Sequence, residues 1–241
     1  MSCSKCKYEL KDDMNFCPRC GTKVVSAVSA NIFIDPNGRK YETVKIGEQI
    51  WMAENFDYDE EDSVCYDNNN ANGKKYGRLY TWEMAINVCP EGWHLPSNDE
   101  WDKLCNYAYG IIRTAHTKNI QVNQKLGKYF KAKEGWNSYD YKGKFGNSER
   151  KSGNGEDKFG FAALPGGYYD NSRGCFECVG ECGYWWSFTD SGIHDIDHFR
   201  HPKKFILPTD AYYYYMYNNE DYISQNKSSK MHMRSVRYVK D

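Results

Sequence analysis

A chain of 241 residues with 32 Lys and Arg against 33 Asp and Glu carries a formal net charge of −1. That balance argues against a protein that coats nucleic acid with its whole surface. No stretch approaches the roughly 18 apolar residues of a membrane span, and Met1-Ser2-Cys3 leaves no room for a secretory signal. The expectation is a cytoplasmic protein without a membrane segment, whose 10 Cys stay reduced.

The chain opens on Cys3-x2-Cys6 and Cys17-x2-Cys20, separated by ten residues. A tight Cys-x2-Cys turn aims two thiolates at one tetrahedral ion, and a second turn completes a four-cysteine site. Between Cys3 and Cys20 the larger apolar residues are Tyr8, Leu10, Met14 and Phe16. So short a unit buries too little apolar surface to fold alone, so bound metal would supply the folding energy. In Cys17-Pro18-Arg19-Cys20-Gly21 the Pro sets the turn and the Gly tolerates positive φ. Residues 1–24 resemble a zinc ribbon, with zinc as the cofactor. The alternative is two disulfides, which need an oxidising compartment. Lys5, Lys7, Lys11, Arg19 and Lys23 stand against Glu9, Asp12 and Asp13. Zinc held by four thiolates adds two negative charges, so the ribbon reads as a structural or protein-contact unit and nucleic acid is not an expected partner.

Residues 25–31 read as a linker within a run of small residues. The body, 32–241, starts with a strand at 32–34 and a turn at Asp35-Pro36-Asn37-Gly38; strands at 40–46 and 49–52 follow. The acidic 57–62 and the Asn-rich 67–73 read as solvated loops; their oxygens suit a hard cation, but neither has calcium-loop spacing. A helix over 79–88 places Leu79, Trp82, Ala85, Ile86 and Val88 on one face. A second begins at a capping box, Ser97 with Glu100, and buries Trp101, Leu104, Cys105, Ala108, Ile111 and Ile112. A shorter helix is expected around 122–132, then a long polar loop or insertion over 137–158. Beyond 159, strands are expected at 161–164, 184–188, 211–217 and 234–239. Strands, then helices, then many strands give an α+β fold.

Several strings in this body resemble one family: YGRLYTW (76–82), CPEGWHLPSNDEW (89–101), FAALPGGYYD (161–170), GYWWSFTD (183–190) and SVRYVKD (235–241), with DPNGRKYETVKIGEQIWMAENFDY (35–58) at the start. In this order they are similar to the Fibrobacter succinogenes major paralogous domain over 32–241. The resemblance implies a C-type-lectin-like fold related to formylglycine-generating-enzyme-like domains, with two main helices packed on short, mostly antiparallel strands and many loops. The family is mostly known from bacterial surface and secreted proteins. It commonly places one cysteine shortly before the YGRLYTW string and another in the last strand. Here those regions read Asn72-Gly73-Lys74-Lys75 and Val236-Arg237-Tyr238-Val239, so the implied disulfide partners of Cys65 and Cys89 are missing. That agrees with a reducing compartment.

Three groups in the body are candidate sites. Cys175, Cys178 and Cys182 offer three zinc ligands, or are plain thiols of a β-turn region. His194, His198 and His201, with Asp195 and Asp197, offer a metal site, or a solvated loop. Tyr212 to Tyr217 (YYYYMY), continued by Asn218 and Asn219, form either a strand covered on both faces or one that presents Tyr213, Tyr215 and Tyr217 beside Trp186. Trp185 and Trp186 point to opposite sides of their strand, one into the core and the other toward a second layer or the surface. The expected function is a non-catalytic binding module with a protein, small-molecule or glycan ligand. The alternative is a formylglycine-generating-type oxidase or other metal-dependent enzyme using Cys175, Cys178 and Cys182.

Overall fold

The computed structural model describes residues 3, 5–9, 17–22, 32–115, 125–143, 146–191 and 209–241, with the backbone alone at 113–115. The expected linker at 25–31 and the histidines at 194, 198 and 201 lie outside the described residues. The first part of the body runs through β1 (Phe33–Ile34), β2 (Lys40–Tyr41), β3 (Thr43–Ile46) and β4 (Gln49–Met52). A 3-10 turn (Tyr66–Asn68), α1 (Asn70–Tyr76), α2 (Trp82–Asn87), β5 (Trp93–His94), α3 (Asn98–Ala115) and α4 (Gly127–Phe130) follow. The rest is strand: β6 (Tyr139–Lys142), β7 (Ser148–Lys151), β8 (Tyr168–Asp170), β9 (Cys175–Glu177), β10 (Cys182–Asp190), β11 (Asp210–Tyr217), β12 (Ser224–Ser229) and β13 (Val239–Lys240).

The fold is mixed α and β, rich in antiparallel sheet and poor in helix. One sheet has the order β3-β4-β13-β5, the other β10-β11-β12, and three two-stranded hairpins flank them. Val239 pairs with both Trp51 and His94, so the end of the chain closes the first sheet. Among the described residues no helix is long and apolar enough to cross a membrane.

The core lies on both sides of β10. Trp185 and Trp186 are each 0% exposed, because adjacent strand residues point to opposite faces and both faces are covered. Trp185 joins Trp51, Trp101, Phe161 and Tyr214, and Trp101 stacks on Tyr214 with centroids 4.7 Å apart. Trp186 joins Phe33, Phe56, Tyr80 and Tyr238. Each ring contributes roughly 4–6 kcal/mol by area before conformational entropy is subtracted.

Buried Arg237 ties the layers together. It donates from Nε to Asn55 Oδ1 at 2.8 Å and from Nη2 to the Ala162 carbonyl at 2.8 Å, and its Nη1 bonds the Phe161 carbonyl. The Trp185 indole donates to the same Asn55 oxygen at 2.9 Å, so one side chain serves two buried donors.

Local signals are visible where the chain uses them. The capping box holds: Ser97 N donates to Glu100 Oε2 at 2.8 Å, and Glu100 N to Ser97 Oγ at 3.3 Å. Trp101, Leu104, Ala108 and Ile112 are buried, with Cys105 and Ile111 partly so. Other expectations shift. The helix expected from 79 starts at Trp82, because Leu79 and Tyr80 bridge to Val64 and Arg234 and Thr81 caps the helix instead. α1 begins within the Asn-rich segment and runs past it, capped by Asn69, whose Oδ1 accepts from Ala71 N. The expected 122–132 helix is confined to Gly127–Phe130 among the described residues. The polar 137–158 stretch folds into the hairpin β6–β7, with Tyr139 opposite Lys151.

Candidate functional site

Two matching turns build the cysteine quartet. Cys3 N bonds Tyr8 O and Lys7 N bonds Cys3 O; Cys17 N bonds Thr22 O and Gly21 N bonds Cys17 O, all within 2.8–3.0 Å. Lys7 and Gly21 hold the corresponding left-handed positions, at φ +59° and +71°. The four sulfurs lie within 4.8 Å of one another, with Cys3–Cys20 at 3.5 Å and Cys6–Cys17 at 3.4 Å. A tetrahedral zinc with bonds of about 2.3 Å sets its sulfurs about 3.8 Å apart, so the quartet fits such an ion. All four thiols are free. Burial opposes ionisation of Cys20, but the Thr22 hydroxyl, 3.1 Å away, the Thr22 backbone and the neighbouring Cys6 and Cys3 outweigh it and draw its pKa down to about 6, whereas burial pushes Cys17 up to about 12. A deprotonated thiol is the form that binds metal.

The second site is one face of the β10-β11-β12 sheet. Register places Tyr184 opposite Tyr215, Trp186 opposite Tyr213 and Cys182 opposite Tyr217. Across the other edge, Tyr213 faces Asn226 and Tyr215 faces Ser224. Tyr214 and Met216 point the other way and are buried, while Tyr213, Tyr215 and Tyr217 are half-buried. The three half-buried rings run in contact along the strand, at 5.8 Å and 5.1 Å. Tyr184 packs against all three, and Tyr168 against Tyr184 at 5.1 Å. Burial raises the pKa of Tyr184 and of Tyr217, so these two keep their hydroxyl protons.

Beneath this face sits Arg234, 3% exposed. Its guanidinium lies 4.1 Å from the Tyr213 ring, 4.5 Å from Trp186, 5.5 Å from Tyr168 and 5.7 Å from Tyr184. Nη2 donates to Ser228 Oγ at 2.7 Å, whereas buried Nε and Nη1 have no hydrogen-bond partner. Burial lowers the arginine's pKa.

Tyr213, Tyr215 and Tyr217 thus stand together. Trp186, a candidate beside them, is a buried floor whose indole donates to Tyr80 O at 2.8 Å. Asn218 turns away to donate to Asn137 O at 3.2 Å, and Asn219 is exposed in the turn after β11. Sequence reasoning missed Tyr184, Tyr168 and Arg234; strand register and a distant return of the chain bring them here. Alternation within 184–186 is the one sequence signal that could have found Tyr184.

Of the two readings of Cys175, Cys178 and Cys182, the zinc site is not assembled among the described residues. Among the described residues the cysteine quartet is the group that brings three or more ligand atoms together. Cys175 Sγ turns to Glu177 Oε1 at 3.4 Å. Cys178 sits at φ +65° in the β9–β10 turn, and its carbonyl accepts from Cys182 N at 2.9 Å. Burial raises the pKa of both of those thiols, which disfavours the nucleophilic form. On the opposite side of the sheet, a groove of about 310 Å³ is lined by Asp102, Asn106, Tyr214 and Gln225, among others. The Tyr214 hydroxyl sits 2.9 Å from Gln225 Nε2 and 3.3 Å from Asp102 Oδ1.

Residues 44–240 match the family model of the Fibrobacter succinogenes major domain, and residues 2–24 match that of a zinc-ribbon domain. No curated protein and no solved structure matches the chain.

Proposed function

Because the chain belongs to the Fibrobacter succinogenes major domain family, we propose that it is a non-catalytic binding protein whose recognition surface is the tyrosine face of β10 and β11. The observation that carries this reading is the run of half-buried Tyr213, Tyr215 and Tyr217 in ring contact. Tyrosine supplies large contact area at a low cost in side-chain entropy, and its hydroxyl adds hydrogen bonds. Ser224 and Asn226 on the neighbouring strand add small polar groups at the rim. The thiol on this face, Cys182, is buried and held protonated, which suits contact better than chemistry. A protein segment or a glycan fits such a surface. A C-type-lectin-like architecture, which the sequence motifs imply, accords with the mixed, strand-rich fold.

In this reading Cys3, Cys6, Cys17 and Cys20 hold one zinc as a closed tetrathiolate. Such a site supplies folding energy and leaves no open position for a substrate. Ten free cysteines accord with a reducing compartment, and so with residence in the cytoplasm.

Protein-observed NMR with a library of free oligosaccharides and short peptides tests the reading. Shifts from a bound compound should cluster at Tyr213, Tyr215, Tyr217 and Asn226. Shifts that cluster at the groove by Asp102 and Gln225 would move the binding surface to the other side of the sheet.

A further inference from the structure

Lys158 is a buried cation in an unusual place. It is 5% exposed, and among the described residues it forms no salt bridge. The body fixes its position, because Lys158 N donates to Tyr129 O at 2.8 Å while Gly155 and Asp157 donate to the Ala132 and Lys131 carbonyls. The loop is therefore pinned along α4. The Lys158 ammonium lies 5.3 Å from the centre of the Tyr129 ring. Its neighbour Lys128 is already paired, with Glu156 at 3.2 Å.

Gly21, the residue after the last cysteine of the quartet, packs against this lysine. Gly21 comes so close that a Cβ there would lie 3.3 Å from the Lys158 Cα. Burial favours the neutral amine of Lys158, and the charges of Glu156, Cys17 and Cys20 oppose it. Burying an ammonium costs several kcal/mol unless an opposite charge accompanies it. A divalent ion held by four thiolates carries two net negative charges and would supply that partner.

We propose that the Lys158 ammonium is the counter-charge of the metal-loaded cysteine quartet, so that loading the metal and seating the ribbon on the body are one coupled equilibrium. Linkage makes the coupling reciprocal: the factor by which metal tightens docking is the factor by which docking tightens metal binding. The ribbon is then a metal-dependent part of the body's surface. This inference does not depend on what the tyrosine face binds.

The test uses the full chain and two variants. Lys158→Met keeps the aliphatic stem and removes the charge; Lys158→Arg keeps the charge. The zinc dissociation constant is measured by competition with a chromophoric chelator, and elastase cleavage within 23–31 is followed on loaded protein. Lys158→Met should weaken zinc binding by about fivefold or more and speed cleavage, while Lys158→Arg should match the wild type in both. Wild-type values for Lys158→Met, or equal losses in the two variants, would overturn the proposal. Should Lys158→Met fail to fold, hydrogen exchange of the wild type decides: amides at 155–159 should exchange faster after zinc is chelated, and unchanged protection there overturns the coupling.

Discussion

The ring of Tyr213 lies 4.1 Å over the guanidinium of Arg234, so the half-exposed tyrosine face rests on a buried cation. The contact joins function to stability. A desolvated cation over an aromatic face contributes about 2 kcal/mol, and Arg234 has two donors with no other partner. Tyr217, farther along the strand, meets the rings of Tyr184 and Tyr215 and, among the described residues, no cation.

The two tyrosines should therefore separate in a stability measurement. Tyr213→Ala is expected to lower the urea unfolding free energy by about 2 kcal/mol more than Tyr217→Ala. Equal losses would mean that Arg234 does not lean on Tyr213.

A pH dependence follows from His94. Its Nδ1 lies 2.5 Å from Asp241 Oδ1 and its Nε2 2.6 Å from Glu100 Oε1. Burial favours the neutral imidazole, but these two carboxylates outweigh it and raise the pKa above its ordinary 6.5. The clamp therefore stabilises the fold fully below pH 6.5 and is lost as pH rises through the folded value. Glu100 acts in the other direction. Burial is outweighed by its bonds to Ser97 and His94, its pKa falls below 4.5, and its contribution is lost as pH drops through the folded value. Thermal unfolding should show the wild type losing stability as pH rises above 6.5, and His94→Gln should lack that decline. An unchanged profile would exclude the clamp.

The close approach of Gly73 to Cys65 is open to a direct test. A Cβ at Gly73 would lie 2.5 Å from Cys65 Sγ, closer than a passive contact tolerates. Gly73 lies within α1 and is not among the residues at positive φ, so a side chain is compatible with its backbone. With oxidised glutathione as oxidant, Gly73→Cys should form a bridge to Cys65, with both thiol protons lost and glutathione reduced. Intact mass should fall by two hydrogens relative to the reduced variant. A free thiol pair after full oxidation of the buffer would show that the helix and Cys65 do not meet this way.

Metal analysis reads out the ribbon separately. Wild-type protein is expected to bind one zinc per chain, and the double variant Cys3→Ser, Cys6→Ser none. A zinc retained by the double variant would place a site elsewhere in the chain.

Much of this was legible locally. The cysteine spacing, the capping box at Ser97 and Glu100, the Asp35–Gly38 turn and the β11 alternation are all set by neighbours within a few residues. The Asn-rich segment at 67–73 misled because Asn and Gly are poor helix formers in general, whereas here Asn69 caps α1 and Gly73 makes room for Cys65 Sγ. Whether the second of Trp185 and Trp186 meets another layer or the surface stays open in the sequence, because one strand says nothing about what covers its second face. Arg234 and Lys158 reach their sites through contacts far apart in sequence, Arg234 with Tyr168 and Trp186, Lys158 with Gly21. Neither has a local pattern that announces it.

The central claim is recognition by the tyrosine face, and an array of immobilised glycans and peptides probed with wild type and with Tyr215→Ala, Tyr217→Ala tests it most directly. The wild type should bind at least one probe, and the double variant should lose at least about tenfold in affinity, near 1.4 kcal/mol, while its urea midpoint stays close to that of the wild type. Undiminished binding by a folded double variant would contradict the account.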